Sequence, residues 1–287
     1  MLPSAALAPI LDHLKAAPSR TWSLIITLYG DAVVPRGGTL WLGTLLDIFE
    51  ALDIGGNAVR TAMSRLAADG WLERIRVGRN AFYRLADPGR ATFAAAALRI
   101  YRAHSPAWDG AFHLAVLGLT EREADQAALE AAGYAPLAPG VLLAAVPEPV
   151  SATGAMHLRA TTDAESARRL AAQVWLPDRL ADGYRRFLAS FAPLRAALDA
   201  GGALADLEAL VARLLLIHAY RRLVLRDPML PEALLPADWP GHAARALCAA
   251  LYPALLPGAE RWLDAHALNE AGQLPGPDPS LDRRFRP

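Results

Sequence analysis

The stretch from residue 57 to residue 72, NAVRTAMSRLAADGWL, carries Asn57, Arg60, Thr61, Ser64 and Arg65 with almost no acid. On a 3.6-residue period these five share one side, and Val59, Ala62, Met63 and Leu66 form the opposite stripe. Arginine forks, an amide and short hydroxyls are the groups that contact phosphates and base edges in a major groove. Just downstream, WLERIRVGRNAFYRL adds Arg74, Arg76, Arg79, Asn80 and Arg84. A Gly-Arg-Asn tip is slim enough to approach a nucleic-acid backbone or minor groove. From residue 54 to 90 seven arginines face three acids, a local +4 in a chain of formal net charge zero. An ordinary solvated face carries both signs in similar measure. Helix and hairpin agree here, which argues for a DNA surface. The candidate contacts are Asn57, Arg60, Thr61, Ser64, Arg65, Arg76, Arg79 and Asn80.

A second constellation lies in LLLIHAYRRLVLRDPMLP. His218, Arg222 and Arg226 recur at i, i+4 and i+8 on a leucine-rich helix, with Arg221 beside them. Basic groups on an apolar helix need an anion or solvent. DWPGHAARALCAALY adds Trp239, His242, Arg245 and Tyr252. Arginine is a natural partner for the phosphates of an acyl-CoA thioester, and aromatics there could stack on an adenine or a phenyl ring. The plain alternative has the histidines filling core positions and the arginines paired with Asp227, Glu232 or Asp238. His218, His242 and an acid have no diagnostic metal spacing. Catalytic signatures are missing: there is no nucleophile elbow, HExxH, P-loop or glycine-rich dinucleotide fingerprint. Asp109 in PAWDG is a nuclease candidate, but an Asx turn before a strand suits it better. The chain is therefore expected not to be an enzyme. A nucleic-acid-cleaving or acyl-CoA-processing enzyme is the alternative.

These residues need elements to position them. The 287 residues suggest two or three domains. The composition, 54% hydrophobic and 20% charged, is that of an ordered, mostly helical protein. Lys15 is the only lysine, and a genomic bias would explain the arginine excess as well as a phosphate partner does. Cys248 is the only cysteine, which excludes an intrachain disulfide and a cysteine-based zinc site. Neither a signal-peptide pattern nor a long apolar run appears, so a cytoplasmic protein without membrane contact is expected. Residues 19–90 read as helix, helix, helix, hairpin, the order of a winged helix-turn-helix, with Ser19 or Thr21 capping the first helix. Residues 106–176 read as strand, helix, strand, strand, helix, which suggests a ferredoxin-like α+β unit. Residues 177–271 are helical almost throughout and read as a C-terminal all-helical domain. The tail LPGPDPSLDRRFRP is too poor in apolar residues to fold alone, so it should be loose or draped. The fold class is mainly α with α+β parts.

YGDAVVPRGGTLWLG, VRTAMSRLAADGWL, GRNAFYRL, YRAHSPAWDG and LLLIHAYRRLVLRDPMLPEALLPADWPGHAARALC together resemble the PaaX-type repressors. The resemblance runs from about Ser19 to Tyr252, and several of these motifs lie outside the DNA-binding block. It implies a homodimeric transcriptional repressor of phenylacetate catabolism that binds operator DNA and is released by phenylacetyl-CoA or a related CoA thioester. It also implies a winged-helix head, a middle domain of ferredoxin-like (Cas2-like) fold and a helical C-terminal domain. The resemblance does not say which residues line the effector pocket; the residues' own chemistry offers His218, Arg221, Arg222, Arg226, Trp239, His242 and Arg245 for it, with no cofactor and no metal expected. Residues 1–18 and the tail show no specific match.

Overall fold

The computed structural model describes residues 7, 8, 10–12, 20–102, 105–118, 122–150, 154–175 and 178–286. The fold is mostly helical, with small antiparallel sheets. Helix α1 (Thr21–Leu28) runs into a π-helical turn at Tyr29–Val33 and a short 3₁₀ turn at Val34–Arg36. Strand β1 (Thr39–Trp41) and helices α2 (Leu42–Glu50) and α3 (Gly56–Ala68) follow, then the hairpin β2 (Leu72–Val77) and β3 (Asn80–Leu85). The predicted helix from Asn57 to Asp69 is α3, and Gly70 at φ 73° ends it as expected. Val59, Ala62, Met63 and Leu66 are buried, and α3 packs on α1, α2 and β2. Thr21 opens α1 but gives it no side-chain cap, and Ser19 lies outside the described residues.

The hairpin register pairs Val77 with Asn80, so the turn is only Gly78-Arg79. Gly78 has φ 59°, the sign a two-residue II′ turn needs at its first position. The strand order β1-β3-β2 places β3 in the centre. Helix α4 (Asp87–Ile100), opened by Pro88 in its first turn, is an element the periodicity did not predict. Its alanine-rich sequence buries only Gly89 and Ile100, so it has no amphipathic stripe to read.

A second sheet is built from β4 (Phe112–Val116), β5 (Ala135–Ala138), β6 (Val141–Ala144) and β7 (Met156–Ala160). Helix α5 (Arg122–Ala131) lies between β4 and β5, and α6 (Ala164–Trp175) follows β7. All pairings are antiparallel, in the order β5-β6-β4-β7. Short β5, APLA with its proline, is one strand more than the sequence suggested. Ala115, Leu129, Ala132, Tyr134, Leu142 and Ala144 form the core of this part. Asp109 makes the expected Asx turn, its Oδ1 accepting from Ala111 N at 3.0 Å, while Oδ2 holds Arg159 at 2.7 Å.

Helices α7 (Asp178–Asp199), α8 (Asp206–Val224) and α9 (Pro240–His266) complete the helical part. The chain divides into two compact units rather than three consecutive domains. One comprises Met1–Ala103, Arg185–Leu225 and His242–Pro287; the other comprises His104–Tyr184 and Arg226–Gly241. The expected boundary at residues 176 and 177 lies outside the described residues.

A buried charge cluster explains why residues 185–225 and 242–287 join the first unit. Asp31 Oδ2 accepts from Arg213 Nε of α8 at 2.6 Å. Its Oδ1 accepts from Tyr101 at 2.5 Å, from Tyr252 of α9 at 2.9 Å and from Arg284 at 2.8 Å. Burial works against the Asp31 carboxylate, yet Arg213, Arg284 and the two tyrosine hydroxyls outweigh it and hold its pKa below the ordinary value. Arg36 and Arg213 share Glu260 of α9. The tail is draped: Leu274, Leu281 and Phe285 are buried, and the Phe285 ring lies 5.3 Å from Tyr101 and 5.4 Å from Tyr252.

Candidate nucleic-acid interface

All five polar residues singled out on α3, namely Asn57, Arg60, Thr61, Ser64 and Arg65, are exposed. Arg76, Arg79 and Asn80 are exposed on the hairpin, as are Arg74 and Arg84. The acids of this block are already engaged. Glu73 pairs with Arg84 at 2.5 Å, Asp69 faces Arg65 at 3.7 Å and Asp87 faces Arg90 at 3.6 Å. Among the described residues, Arg60, Arg74, Arg76 and Arg79 therefore have no carboxylate partner. Arg60 makes one long contact, 3.5 Å, to Asn57 Oδ1. The local +4 is thus four solvated guanidinium groups on a helix face and a hairpin of the same unit.

The residues of the second constellation are divided between the two units. Arg226 and Trp239 belong to the second unit; His218, Arg221, Arg222, His242 and Arg245 belong to the first. His218 is buried, with Nδ1 3.0 Å from Thr27 Oγ1 of α1. Burial, Arg221 and Arg222 push its pKa down to about 3, so the imidazole is neutral at pH 7 and adds no positive charge. Arg221 turns onto α1 as well. Its Nε donates to Thr27 Oγ1 at 2.7 Å, and its Nη2 donates to Ser23 O at 2.9 Å and Ser23 Oγ at 2.7 Å. Burial and the neighbouring Arg222 lower its pKa to about 10, which leaves it charged. Trp239 is buried, edge-on to Tyr184 at 5.9 Å. Arg222 and Arg226 are exposed; His242 and Arg245 are half-buried. No three metal-binding side chains converge among the described residues.

The first unit also contains a cavity of about 330 Å³ bounded by α1, the end of α3, α4 and the end of α8. Trp22, Trp71 and Phe93 supply its aromatic walls, and Arg20, Arg65 and Arg221 its cations. Sequence reasoning passed over all of these as a group, because they come from four separate segments with no common spacing.

The PaaX-like protein family matches residues 20–89, and the PaaX-like protein C-terminal domain matches residues 175–265. The Transcriptional repressor PaaX of Escherichia coli (strain K12) is 36% identical over 298 residues, covering 96% of this chain and 93% of that protein. The chain belongs to the PaaX-like family. The first PaaX-like match ends just beyond β3, so it encloses α1, α3 and the hairpin together. The curated relative bears the name of a repressor, not of an enzyme, which favours the non-enzyme reading over the cleaving or acyl-CoA-processing alternative. An uncharacterized protein from Mycobacterium tuberculosis aligns with 75% of this chain and 88% of its own, at 24% identity and a TM-score of 0.47. Among the described residues, no helix is long and apolar enough to cross a membrane.

Proposed function

We propose that this chain is a transcriptional repressor that binds operator DNA as a homodimer in the cytoplasm, controls phenylacetate degradation and is released by phenylacetyl-CoA or a related CoA thioester. The order helix, strand, helix, helix, strand, strand, with sheet order β1-β3-β2, supports a winged helix-turn-helix reading. In this reading α3 enters the major groove, Arg60 and Arg65 divide between base and phosphate contacts, and Arg76, Arg79 and Asn80 sit on the wing. The observation that carries it is the set of four exposed arginines without a carboxylate partner among the described residues, beside an α3 face of Asn57, Thr61 and Ser64.

The middle unit supports the ferredoxin-like reading: its strands follow the split βαβ order, although the second helix comes after β7 rather than before it. The dimer draws on β7, an edge strand exposed along its whole length, with Met156 and Leu158 bare on one face. A repressor dimer would set two α3 helices about 34–36 Å apart along the duplex.

Fluorescence anisotropy on promoter DNA from the chain's own gene neighbourhood tests the reading. Tight, sequence-selective binding that Arg60→Ala weakens by about 1–3 kcal/mol is expected if Arg60 reads a guanine. Binding no better than to a scrambled duplex refutes the repressor assignment.

A further inference from the structure

The tail beyond α9 is held by a small number of plugs rather than by secondary structure. Residues 274–285 include Pro275, Pro277 and Pro279, which donate no backbone hydrogen bond, and a single 3₁₀ turn at Leu281–Arg283. Leu274, Leu281 and Phe285 are buried and most of the residues between them are exposed. Polar attachments run along the length. Asp278 N donates to Pro35 O at 2.8 Å, Arg36 Nη1 donates to Pro275 O at 3.0 Å, and Phe285 N donates to Tyr101 O at 3.2 Å. The Arg284 guanidinium donates to Asp31 O at 2.6 Å and to Asp31 Oδ1 at 2.8 Å, and lies 4.2 Å above the Tyr101 ring. Phe285 has φ 59°, a left-handed conformation that a bulky residue adopts only where its surroundings compel it. Here the ring is compelled by its place among Tyr101, Tyr252 and Tyr220, at 5.3, 5.4 and 6.1 Å.

These attachments fall on both connections of one segment. Residues 37–86 carry β1, α2, α3 and the hairpin. The chain enters them through the π-helical turn Tyr29–Val33 and the 3₁₀ turn Val34–Arg36, where Asp31, Pro35 and Arg36 take the tail. It leaves them through α4, whose far end at Tyr101 takes Phe285 and Arg284. Single π turns are rare and recur at functional positions in helices. Hinges, likewise, are a few residues at the ends of elements. We propose that residues 274–285 form a releasable strap that regulates DNA binding. Docked, the strap ties the entrance and the exit of the segment carrying α3 to one another. Detached, it frees both connections, and affinity for DNA falls because α3 and the hairpin are no longer held in one fixed arrangement.

Release is local because what lies under the strap stays satisfied. Without Arg284, Asp31 still has Arg213, Tyr101 and Tyr252, and Arg36 still has Glu260. A segment with three buried apolar side chains and no helix or sheet partner belongs to the part of a fold that opens before the rest. Coupling is reciprocal, so DNA must tighten the strap by the factor by which the strap tightens DNA. The change in DNA affinity rests on the proposed repressor role; the tie between the two connections does not.

Hydrogen exchange on the full, DNA-free chain tests the strap, with the Asp278 and Phe285 amides reporting its docking. In the wild type these two should open together and sooner than the amides of α8. Phe285→Ala and Arg284→Gln should deprotect the strap, residues 29–36 and the last turn of α4 while α8 stays protected. Arg286→Gln removes an exposed charge from the same segment and should change nothing. Strap amides that open only with the whole fold overturn the proposal, and this wild-type measurement holds even where a variant fails to fold. So does a detached strap that leaves residues 29–36 and the end of α4 as protected as before. Anisotropy on the promoter duplex then reads the regulation. Phe285→Ala and Arg284→Gln should each bind about ten-fold more weakly than the wild type, and added duplex should slow wild-type exchange at Asp278 and Phe285. Duplex affinity unchanged in a variant whose strap is detached, or lowered equally in Arg286→Gln, overturns the regulatory role. A wild-type chain that binds no duplex sinks the repressor reading instead and leaves the exchange result standing.

Discussion

Replacing Arg76 and Arg79 together by glutamine should halve the salt dependence of DNA binding. Each arginine that neutralises a phosphate releases a counterion and adds about 0.9 to the slope of log K against log salt. Three of the seven arginines between residues 54 and 90 already face Asp69, Glu73 and Asp87, leaving Arg60, Arg74, Arg76 and Arg79. On an arbitrary duplex, where Arg60 meets no cognate guanine and Arg65 stays with Asp69, four phosphates per protomer correspond to a slope of about 3.6 per head and about 7 for a dimer. A fourfold rise in salt then costs about 100-fold in affinity per head. The double variant retains two of the four contacts, so its slope is half the wild-type value whatever the stoichiometry. This term is independent of sequence, so anisotropy on an arbitrary duplex over a salt series suffices. Glu73→Gln combined with Arg84→Gln is the control, because it removes a pair already satisfied within the protein and should leave the slope alone. A slope unchanged in Arg76→Gln/Arg79→Gln, or lowered equally in the control, would falsify the assignment of the free arginines to phosphates.

The remaining predictions concern stability and assembly. The unfolded chain takes up a proton at His218 near pH 6.5, which the folded chain refuses until about pH 3, so this contribution is full at pH 7 and lost as pH falls. At pH 5 the loss is about 2 kcal/mol, and urea unfolding at the two pH values should show it in the wild type but not in His218→Gln. Asp31→Asn leaves buried Arg284 without its carboxylate and Arg213 with Glu260 alone, and should cost about 3–5 kcal/mol, seen as a lower melting temperature; an unchanged melting point would remove the charge cluster from the account of the fold. Leu158→Arg should convert a dimer to a monomer in sedimentation, and a variant that stays dimeric moves the contact away from β7.

The exposed polar face of α3 was legible because its signal is local. One helical period separated Val59, Ala62, Met63 and Leu66 from Arg60, Thr61, Ser64 and Arg65, and tertiary packing simply buried the apolar stripe. The hairpin was equally plain from alternation and Gly78. Helix α4 was not, because alanine on every side carries no periodicity. The basic run on α8 was less legible, for a different reason. Spacing showed that His218 and Arg221 need partners, but not that Ser23 and Thr27, nearly 200 residues earlier, would supply them. The same holds for the division into units. The link between Asp31 and Arg213 spans 182 positions, and nothing in either neighbourhood encodes it.

Arg284 reaches back 253 positions to Asp31, and Phe285 closes the ring stack over Tyr101 and Tyr252. During synthesis, the amino-terminal region therefore leaves the ribosome long before its internal carboxylate has a full set of donors. Its final packing must wait until residue 285 has emerged, so a message cut short a few codons earlier yields a head whose internal carboxylate keeps Arg213, Tyr101 and Tyr252 but lacks its second arginine.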